Sequence, residues 1–345
     1  MKAVNLPKSL FENRQTLEII NKISENQSCG VSGLAGSSYA FLAASLSENT
    51  NQPILWIAEN KEEAAYCFND MERLLPGREV LFYPASYRRP YQIEQIDNAN
   101  IMMRAEVLKK ITATSKACII SYPDALFEQV LTRKELKKKT LALSLGMEVS
   151  IDFINEVLFE YEFQRVDFVT QPGEFSVRGG ILDIFSFDAE VPYRLEFFGD
   201  EIDRINSFDV LSQRSTEACK KVAILANVEQ KISSEERQPL WSFLPKNTLF
   251  LHHGISDIST VLDGMYRQAV HREGEKTLKR SAPETLYCQG NRFEEEMTHR
   301  IQIDFSGHSK FDHRFQYSCS PQPTFQRNFE RIRAHLIEND KKGIQ

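Results

Sequence analysis

The feature that most constrains the fold is the alternation of short apolar runs with helix-like segments over roughly the first 130 residues. Strand-like runs at 53–58, 79–83 and 117–121 are separated by segments with helical apolar spacing at 61–75 and 98–111. Short apolar strands joined by helices are typical of a parallel sheet that is covered on both faces, because each crossover helix packs back on the sheet. The pattern therefore predicts an α/β domain.

A different pattern begins after residue 135. Ser150 is placed to cap a helix that runs to about Tyr161, and short strands with tight turns follow it. Pro172-Gly173 fits the central pair of a type II turn, and Gly199-Asp200 fits a two-residue hairpin loop with glycine first. This part of the chain is predicted to be an α+β domain with an antiparallel β-hairpin.

The α/β pattern returns near residue 230, with a predicted strand at 248–251 and a predicted helix at 325–337. We therefore predict one parallel-sheet domain in two chain segments, 1–135 and 231–345, with the α+β domain inserted at 136–230. No closing strand follows the last predicted helix, so we expect the sequence to be part of a longer protein.

Composition excludes several classes of protein. The net charge of −6 is unlike that of a basic nucleic-acid coat, and no apolar run approaches the ~20 residues of a membrane helix. The six cysteines are scattered without a CxxC pair, and the adjacent His252 and His253 point to opposite faces of a strand. We expect a cytoplasmic chain without a membrane segment, a disulfide framework, a metal site or a cofactor of its own.

A glycine-rich stretch precedes the predicted helix at 39–46 and is similar to a phosphate-binding loop. The residues that define it are Gly30, Gly33, Gly36 and Ser37. The strict phosphate-loop pattern ends in Gly-Lys-Ser/Thr, and neither possible register places a lysine there. Since that lysine neutralises the β- and γ-phosphates, we predict a degenerate loop that does not bind nucleotide, and we predict no catalytic residue in this chain.

The predicted hairpin around Gly199-Asp200 carries unusual residues on its outer face. Alternation places Leu195 and Phe197 on the core face and Arg194, Glu196 and Phe198 on the opposite, solvent-facing side. Arginine beside an exposed aromatic ring is a combination that often anchors protein interfaces. An interaction surface and an ordinary surface both remain open from this pattern.

Neighbouring residues extend the predicted surface. Arg178 precedes Gly179-Gly180, which we expect to form a bulge that re-aims the arginine. Glu196 is a candidate to orient Arg194, and Arg204 is expected on the opposite face by alternation. The carboxylates of this region are predicted to be outward strand positions: Asp183, Glu196, Asp200, Glu201 and Asp203.

The segment 171–215, which includes "VRGGILDIF" and "RLEFFGDEI", closely resembles bacterial transcription-repair coupling factors (the Mfd family). It is similar, more loosely, to the nucleotide-excision-repair helicase subunit UvrB, and this weaker resemblance covers nearly the whole chain. UvrB proteins have a complete phosphate loop and a long aromatic hairpin after the second strand, for which the segment between Tyr83 and Asn98 leaves no room. The resemblance therefore favours the UvrB-homology module of a coupling factor, whose implied fold is a degenerate RecA-like, helicase-like domain.

The resemblance also implies a function. In these families the inserted domain docks onto UvrA, and the family's contact positions correspond to Arg178, Arg194 and Phe198. In a coupling factor this docking recruits UvrA to RNA polymerase stalled at a lesion. Polymerase and duplex DNA would be bound by other parts of the longer protein, whose C-terminal motor would be a translocase that uses ATP and Mg²⁺.

Two alternatives remain open from the sequence. The first is an ATP-dependent helicase subunit of UvrB type, against which the missing lysine argues. The second is a direct DNA-binding module that grips phosphates and stacks on bases through Tyr87, Arg88, Arg89 and Tyr91.

Overall fold

The computed structural model describes residues 13–50, 52–86, 98–113, 116–226, 236–274, 283–321, 325 and 328–341. A seven-stranded sheet lies at the centre of the α/β part. Its strands are β1 Cys29–Ser32, β2 Ile54–Ile57, β3 Val80–Phe82, β4 Cys118–Ser121, β15 Leu249–His252, β16 Ile301–Asp304 and β17 His313–Gln316. Their spatial order is β17-β1-β16-β15-β2-β4-β3, and every pair is parallel.

Eleven α-helices lie along the described part of the chain. They are α1 Arg14–Ser24, α2 Ser38–Thr50, α3 Lys61–Leu74, α4 Asn98–Ala113, α5 Pro123–Phe127, α6 Arg133–Lys138, α7 Ile151–Glu160, α8 Ile255–Gly274, α9 Pro283–Leu286, α10 Gly290–Met297 and α11 Phe329–Lys341. A short 3-10 helix spans Leu240–Phe243. Strands β2, β4, β15 and β16 are buried at every position, which requires both faces of the sheet to be covered. The prediction of a covered parallel sheet is confirmed.

A second sheet of six strands follows α7. Its strands are β7 Gln164–Arg165, β8 Glu174–Arg178, β9 Ile181–Ile184, β10 Tyr193–Phe198, β11 Glu201–Phe208 and β12 Ser215–Ala218. They lie in reverse chain order and pair antiparallel, except that β7 runs parallel to β8 at one edge.

Two short antiparallel pairs lie where the chain leaves the parallel sheet and returns to it. Their strands are β5 Val130–Leu131 with β14 Arg237–Gln238, and β6 Thr140–Ser144 with β13 Lys221–Leu225. The predicted domain limits at 135/136 and 230/231 stay predictions, and the second of them lies outside the described residues.

The six-stranded sheet has one apolar face and one face of mixed character. Leu195, Ile202 and Ile205 pack with Ile154 and Leu158 of α7 in a single buried cluster. Ser150 caps α7 as predicted, because its Oγ accepts a hydrogen bond from Phe153 N at 3.2 Å. The face that packs on α7 is therefore the core face of this sheet.

Glycines with a positive φ occupy the turns of this sheet. Gly173 (φ +86°) and Gly199 (φ +61°) take the left-handed backbone that the two predicted turns require. Gly179-Gly180 does not form the expected bulge. Arg178 pairs directly with Ile181, so the two glycines are the hairpin turn between β8 and β9, and Gly179 has φ +61°.

The start of the last predicted helix is set by a local cap. The last helix, α11, begins at Phe329 instead of 325. The side chain of Asn328 accepts hydrogen bonds from Glu330 N at 3.1 Å and Arg331 N at 3.2 Å, so a local cap sets the start of the helix. Among the described residues, no helix is both long enough and apolar enough to cross a bilayer.

The adjacent histidines at the end of β15 face different surroundings, as strand alternation predicts. His252 is buried, with Nδ1 accepting from Gly254 N at 3.1 Å and Nε2 lying 3.0 Å from Gln302 Oε1. Both contacts suit a neutral ring that carries its proton on Nε2, and burial lowers the pKa of His252 below its ordinary value. His253 points instead toward the carboxyl ends of the strands, beside Glu59 and Glu63.

Candidate interaction surface on the antiparallel sheet

Two of the predicted site residues share one buried carboxylate. Asp183 of β9 accepts hydrogen bonds from Arg194 Nε at 2.7 Å and Arg194 Nη2 at 2.8 Å, and it also contacts Arg178 Nη2. The strand register explains this meeting, because Asp183 pairs with Arg194 on one side and Ser176 on the other, two residues before Arg178. We call Arg178, Asp183 and Arg194 the arginine cluster.

Arg194 is more enclosed than its predicted outward position implies. Its side chain is 14% exposed, and its guanidinium lies 4.7 Å from the centre of the Phe208 ring. Nη1 also donates to the carbonyl of Gln213 at 3.0 Å, and the hydrogen bond with Asp183 raises the pKa of Arg194. Much of its hydrogen-bonding capacity is therefore used within the chain, so the prediction of a fully solvent-facing arginine is corrected.

Two loops, one after β7 and one after β11, enclose the arginine cluster. Gln213 Nε2 donates to the carbonyl of Val169 at 3.1 Å, which joins the loop after β11 to the loop after β7. Val169 and Phe208 belong to a small apolar cluster on this face. Asp183 is consequently fully buried, so its predicted outward position is wrong: strand alternation identifies its face but does not reveal that loops cover that face.

Arg178 and Phe198 remain accessible. The Arg178 side chain is 38% exposed, and its guanidinium lies 5.3 Å from the centre of the Phe168 ring, which is itself exposed. Phe198, the last residue of β10 before the hairpin turn, is 84% exposed. The accessible groups here therefore include the Arg178 guanidinium and the rings of Phe168 and Phe198, and Leu211 in the covering loop is also exposed.

A β-bulge changes the predicted face of Arg204. Phe197 pairs with Ile202 but Glu196 pairs with Arg204, so Asp203 is the extra residue. Arg204 consequently lies opposite Glu196 on the outer face, with Nη1 3.9 Å from Glu196 Oε2. Two expectations are therefore wrong: the bulge keeps Arg204 off the core face, and the β9–β10 register makes Asp183, instead of Glu196, the carboxylate that orients Arg194.

The glycine-rich loop joins β1 to α2. Gly30 lies within β1, Gly33 has φ +75° and Gly36 has φ +56°, and Ser37 comes directly before the helix. The Gly33 carbonyl accepts from Cys319 N at 2.9 Å, and a side chain at Gly33 would collide with the carbonyl of Tyr317. The segment after β17 therefore packs directly on this loop, and the loss of nucleotide binding stays a prediction.

The residues of the DNA-binding alternative lie outside the described residues, namely Tyr87, Arg88, Arg89 and Tyr91. The sequence predicts Arg178, Arg194 and Phe198 as site residues, but it gives no indication that Phe168 and Phe208 lie against the two arginines or that Leu211 is exposed in the covering loop. The hydrophobic residues at 168 and 211 lie in loops, where no strand periodicity distinguishes an exposed ring from a buried one.

Comparisons with known proteins agree with this architecture. Residues 141–229, which include the whole six-stranded sheet, match the family model of the UvrB interaction domain. The chain is 32% identical over 235 residues to the transcription-repair-coupling factor of Bacillus subtilis (strain 168), which covers 68% of this chain and 20% of that protein. It is 28% identical over 193 residues to the transcription-repair-coupling factor of Escherichia coli (strain K12), covering 56% of this chain and 17% of that protein.

A second group of similar proteins consists of UvrABC system proteins B. The chain is 31% identical over 206 residues to the UvrABC system protein B of Clostridium botulinum (strain Loch Maree / Type A3), covering 56% of this chain and 31% of that protein. The chain thus spans about a fifth of the length of the coupling factors and about a third of the UvrB protein that it matches.

Together, the α/β fold and the matched domain define an interaction module of the kind found in DNA-repair proteins. Residues 141–229 match a UvrB interaction domain and the chain is similar to transcription-repair-coupling factors, so the resemblance predicted from segment 171–215 is confirmed.

Proposed function

We propose that this chain is the part of a transcription-coupled repair factor that docks onto UvrA, through the outer face of its six-stranded sheet. In the longer protein this docking would recruit UvrA to RNA polymerase stalled at a lesion. The observation that carries the proposal is the exposed Phe198 at the hairpin tip, on the same face as the arginine cluster, within the segment that matches the UvrB interaction domain.

The contacts of the three site residues suggest different roles for them. Phe198 is the apolar anchor, because an exposed ring at a hairpin tip can enter a partner's pocket and become fully dry. Arg178 retains donors toward solvent and suits a carboxylate on UvrA. Arg194, bound bidentately by Asp183, acts mainly by holding Asp183 and the covering loops in place.

A binding titration between this chain and UvrA from the same organism tests the proposal. Phe198→Ala is expected to weaken binding by about 2 kcal/mol, or roughly thirtyfold, as hot-spot truncations do. Phe153→Ala is the matched control, because Phe153 is also an exposed aromatic side chain but lies on α7, which packs on the other face of the sheet. Equal affinities for the wild-type chain, Phe198→Ala and Phe153→Ala would exclude this face as the docking site.

The α/β part of the chain belongs to the same proposal. We infer a degenerate RecA-like domain in segments 1–135 and 231–345 that supports the docking domain and does not hydrolyse ATP, since no lysine stands in the loop at Gly33–Ser37. Calorimetric titration with ATP and Mg²⁺ should give no binding heat. Clear one-to-one binding would favour the alternative, a nucleotide-dependent subunit of UvrB type.

A further inference from the structure

Three potential metal ligands converge at the carboxyl edge of the parallel sheet. Glu59 follows β2, Glu63 lies in the first turn of α3, and His253 follows β15, which is the neighbour of β2 in the sheet. One ligand atom from each residue can be chosen so that all three lie within 4.8 Å of one another. The carboxyl edge of a parallel sheet is where ligands of open α/β folds usually bind, because the loops there diverge to leave a crevice.

The Glu63 carboxylate is held in a fixed orientation. Its Oε2 accepts a hydrogen bond from the backbone N–H of Glu59 at 2.8 Å, and Asn60 caps the same helix by accepting from Glu63 N at 3.0 Å. These bonds leave Oε1 directed at His253, where it lies 3.6 Å from Nε2. The bond from Glu59 N–H accounts for Oε2 of Glu63, and the other carboxylate oxygen faces the His253 ring.

The His253 ring is also held in place but is incompletely satisfied. It packs between the rings of Tyr39 and Phe305, with centroid distances of 5.1 and 5.4 Å, and its side chain is 12% exposed. Its Nε2 is buried and has no hydrogen-bond partner within the described part of the chain. Buried polar atoms nearly always have a partner, so this nitrogen calls for a ligand that the protein chain does not supply.

We propose that Glu59, Glu63 and His253 bind one divalent transition-metal ion, with Zn²⁺ as the reference ion. Nε2 of His253 and Oε1 of Glu63 are 3.6 Å apart, close to the ~3.3 Å that separates two ligands placed tetrahedrally about 2.0–2.1 Å from zinc. Glu59 now faces Nδ1 of the same ring, with Oε1 at 3.5 Å, and its side chain is exposed enough to rotate onto the ion.

The donor set determines which metals fit. An imidazole nitrogen with two carboxylates suits Zn²⁺, Co²⁺ or Ni²⁺, whereas Mg²⁺ prefers an all-oxygen shell. A small cavity beside the cluster is lined by Glu59, His253, Pro123 and Asp257, so a fourth position would open to water. The ion would tie the start of α3 to the loop after β15, and the site is independent of the docking face on the other sheet.

Titration of the tag-free, reduced chain with Zn²⁺ and with Co²⁺ tests this site. Calorimetry should show one ion per chain, and Co²⁺ should give the visible absorption bands of a tetrahedral site. His253→Gln and Glu63→Gln are each expected to weaken Zn²⁺ binding about tenfold or more. Glutamine at 63 keeps an oxygen for the Glu59 N–H, so the helix cap is retained in that variant.

Two neighbouring substitutions serve as controls. Glu62→Gln removes the same charge one residue away, and His299→Gln removes an exposed imidazole elsewhere, so both should bind Zn²⁺ like the wild-type chain. The proposal is overturned if the wild-type chain binds no stoichiometric ion, or if the His253 and Glu63 variants retain its affinity. Circular dichroism of every variant ensures that lost binding reflects lost ligands and an intact fold.

Discussion

Replacing Asp183 by asparagine should destabilise the six-stranded sheet strongly. The Asp183 carboxylate is fully buried and receives three charged N–H donors from Arg178 and Arg194. An asparagine would direct its own NH₂ group, or a neutral oxygen, at two guanidinium groups that have lost their counter-charge. Loss of one partner from a fully buried pair costs about 3–5 kcal/mol.

The expected magnitude is lower than that range, because Arg178 is 38% exposed and water can solvate part of its charge. We therefore expect a loss of about 2–4 kcal/mol in the free energy of unfolding. Divided by a urea slope of about 1–3 kcal/mol per molar, this corresponds to a fall of about 0.7–4 M in the unfolding midpoint.

Two alanine variants make the expectation sharper. Arg178→Ala leaves Asp183 with its bidentate Arg194 partner and should cost about 1 kcal/mol or less, as for exposed pairs. Arg194→Ala removes both of those bonds and the contact with Phe208, so it should cost about 2 kcal/mol or more.

Urea unfolding followed by far-UV circular dichroism gives these free energies, and hydrogen exchange of the β8–β10 amides locates the effect in this sheet. The order Asp183→Asn, Arg194→Ala, Arg178→Ala, from most to least destabilising, is the expected result. A variant Asp183→Asn as stable as wild type, or Arg178→Ala as damaging as Arg194→Ala, would refute the view that Asp183 organises this face.

Other parts of the molecule give further expectations. Burial lowers the pKa of His252, so only the unfolded state gains a proton on this ring as the pH falls through about 6.5. The urea concentration at the unfolding midpoint should therefore be lower at about pH 5.5 than at about pH 7.5, and the difference should be smaller in His252→Gln. A thiol reagent at neutral pH should modify the exposed Cys319 in the native chain and spare the four buried cysteines. Burial raises the pKa of those four thiols to between about 11 and about 12. Mass spectrometry after proteolysis identifies the modified cysteines. Gly33→Ala should destabilise the chain by about 2 kcal/mol or more, because the new Cβ would lie 1.9 Å from the Tyr317 carbonyl oxygen, whereas Gly36→Ala meets no atom within 4 Å and should lose only the cost of its left-handed backbone, about 1 kcal/mol; thermal unfolding compares the two.

Local signals predicted the elements of the fold well. The apolar runs at 53–58, 79–83 and 117–121 became β2, β3 and β4, each shorter by one or two residues at its ends. The cap at Ser150 and the turn at Gly199-Asp200 were readable because their chemistry lies within a few residues of sequence.

The errors on the candidate surface have a different origin. A single extra residue at Asp203 reverses the alternation of everything after it, so the predicted face of Arg204 was wrong. Asp183 is expected to face water, but the loops after β7 and β11 cover it. The sequence around Asp183 contains no signal that predicts this covering. The convergence of Glu59 with His253 likewise depends on β2 and β15 being neighbours across almost 200 residues of chain.

Backbone preferences and side-chain periodicity act between residues that are close along the chain, so the amino-acid order was enough to establish the α/β class, the inserted sheet, the glycine turns and the family resemblance. Contacts between distant segments decide the rest. They determine which strands are neighbours, which carboxylate binds two arginines and which loops cover that carboxylate. Those contacts form only when the whole core packs, which is why the sequence predicts Arg194 as a site residue but its role as the partner of Asp183 emerges only from the folded chain.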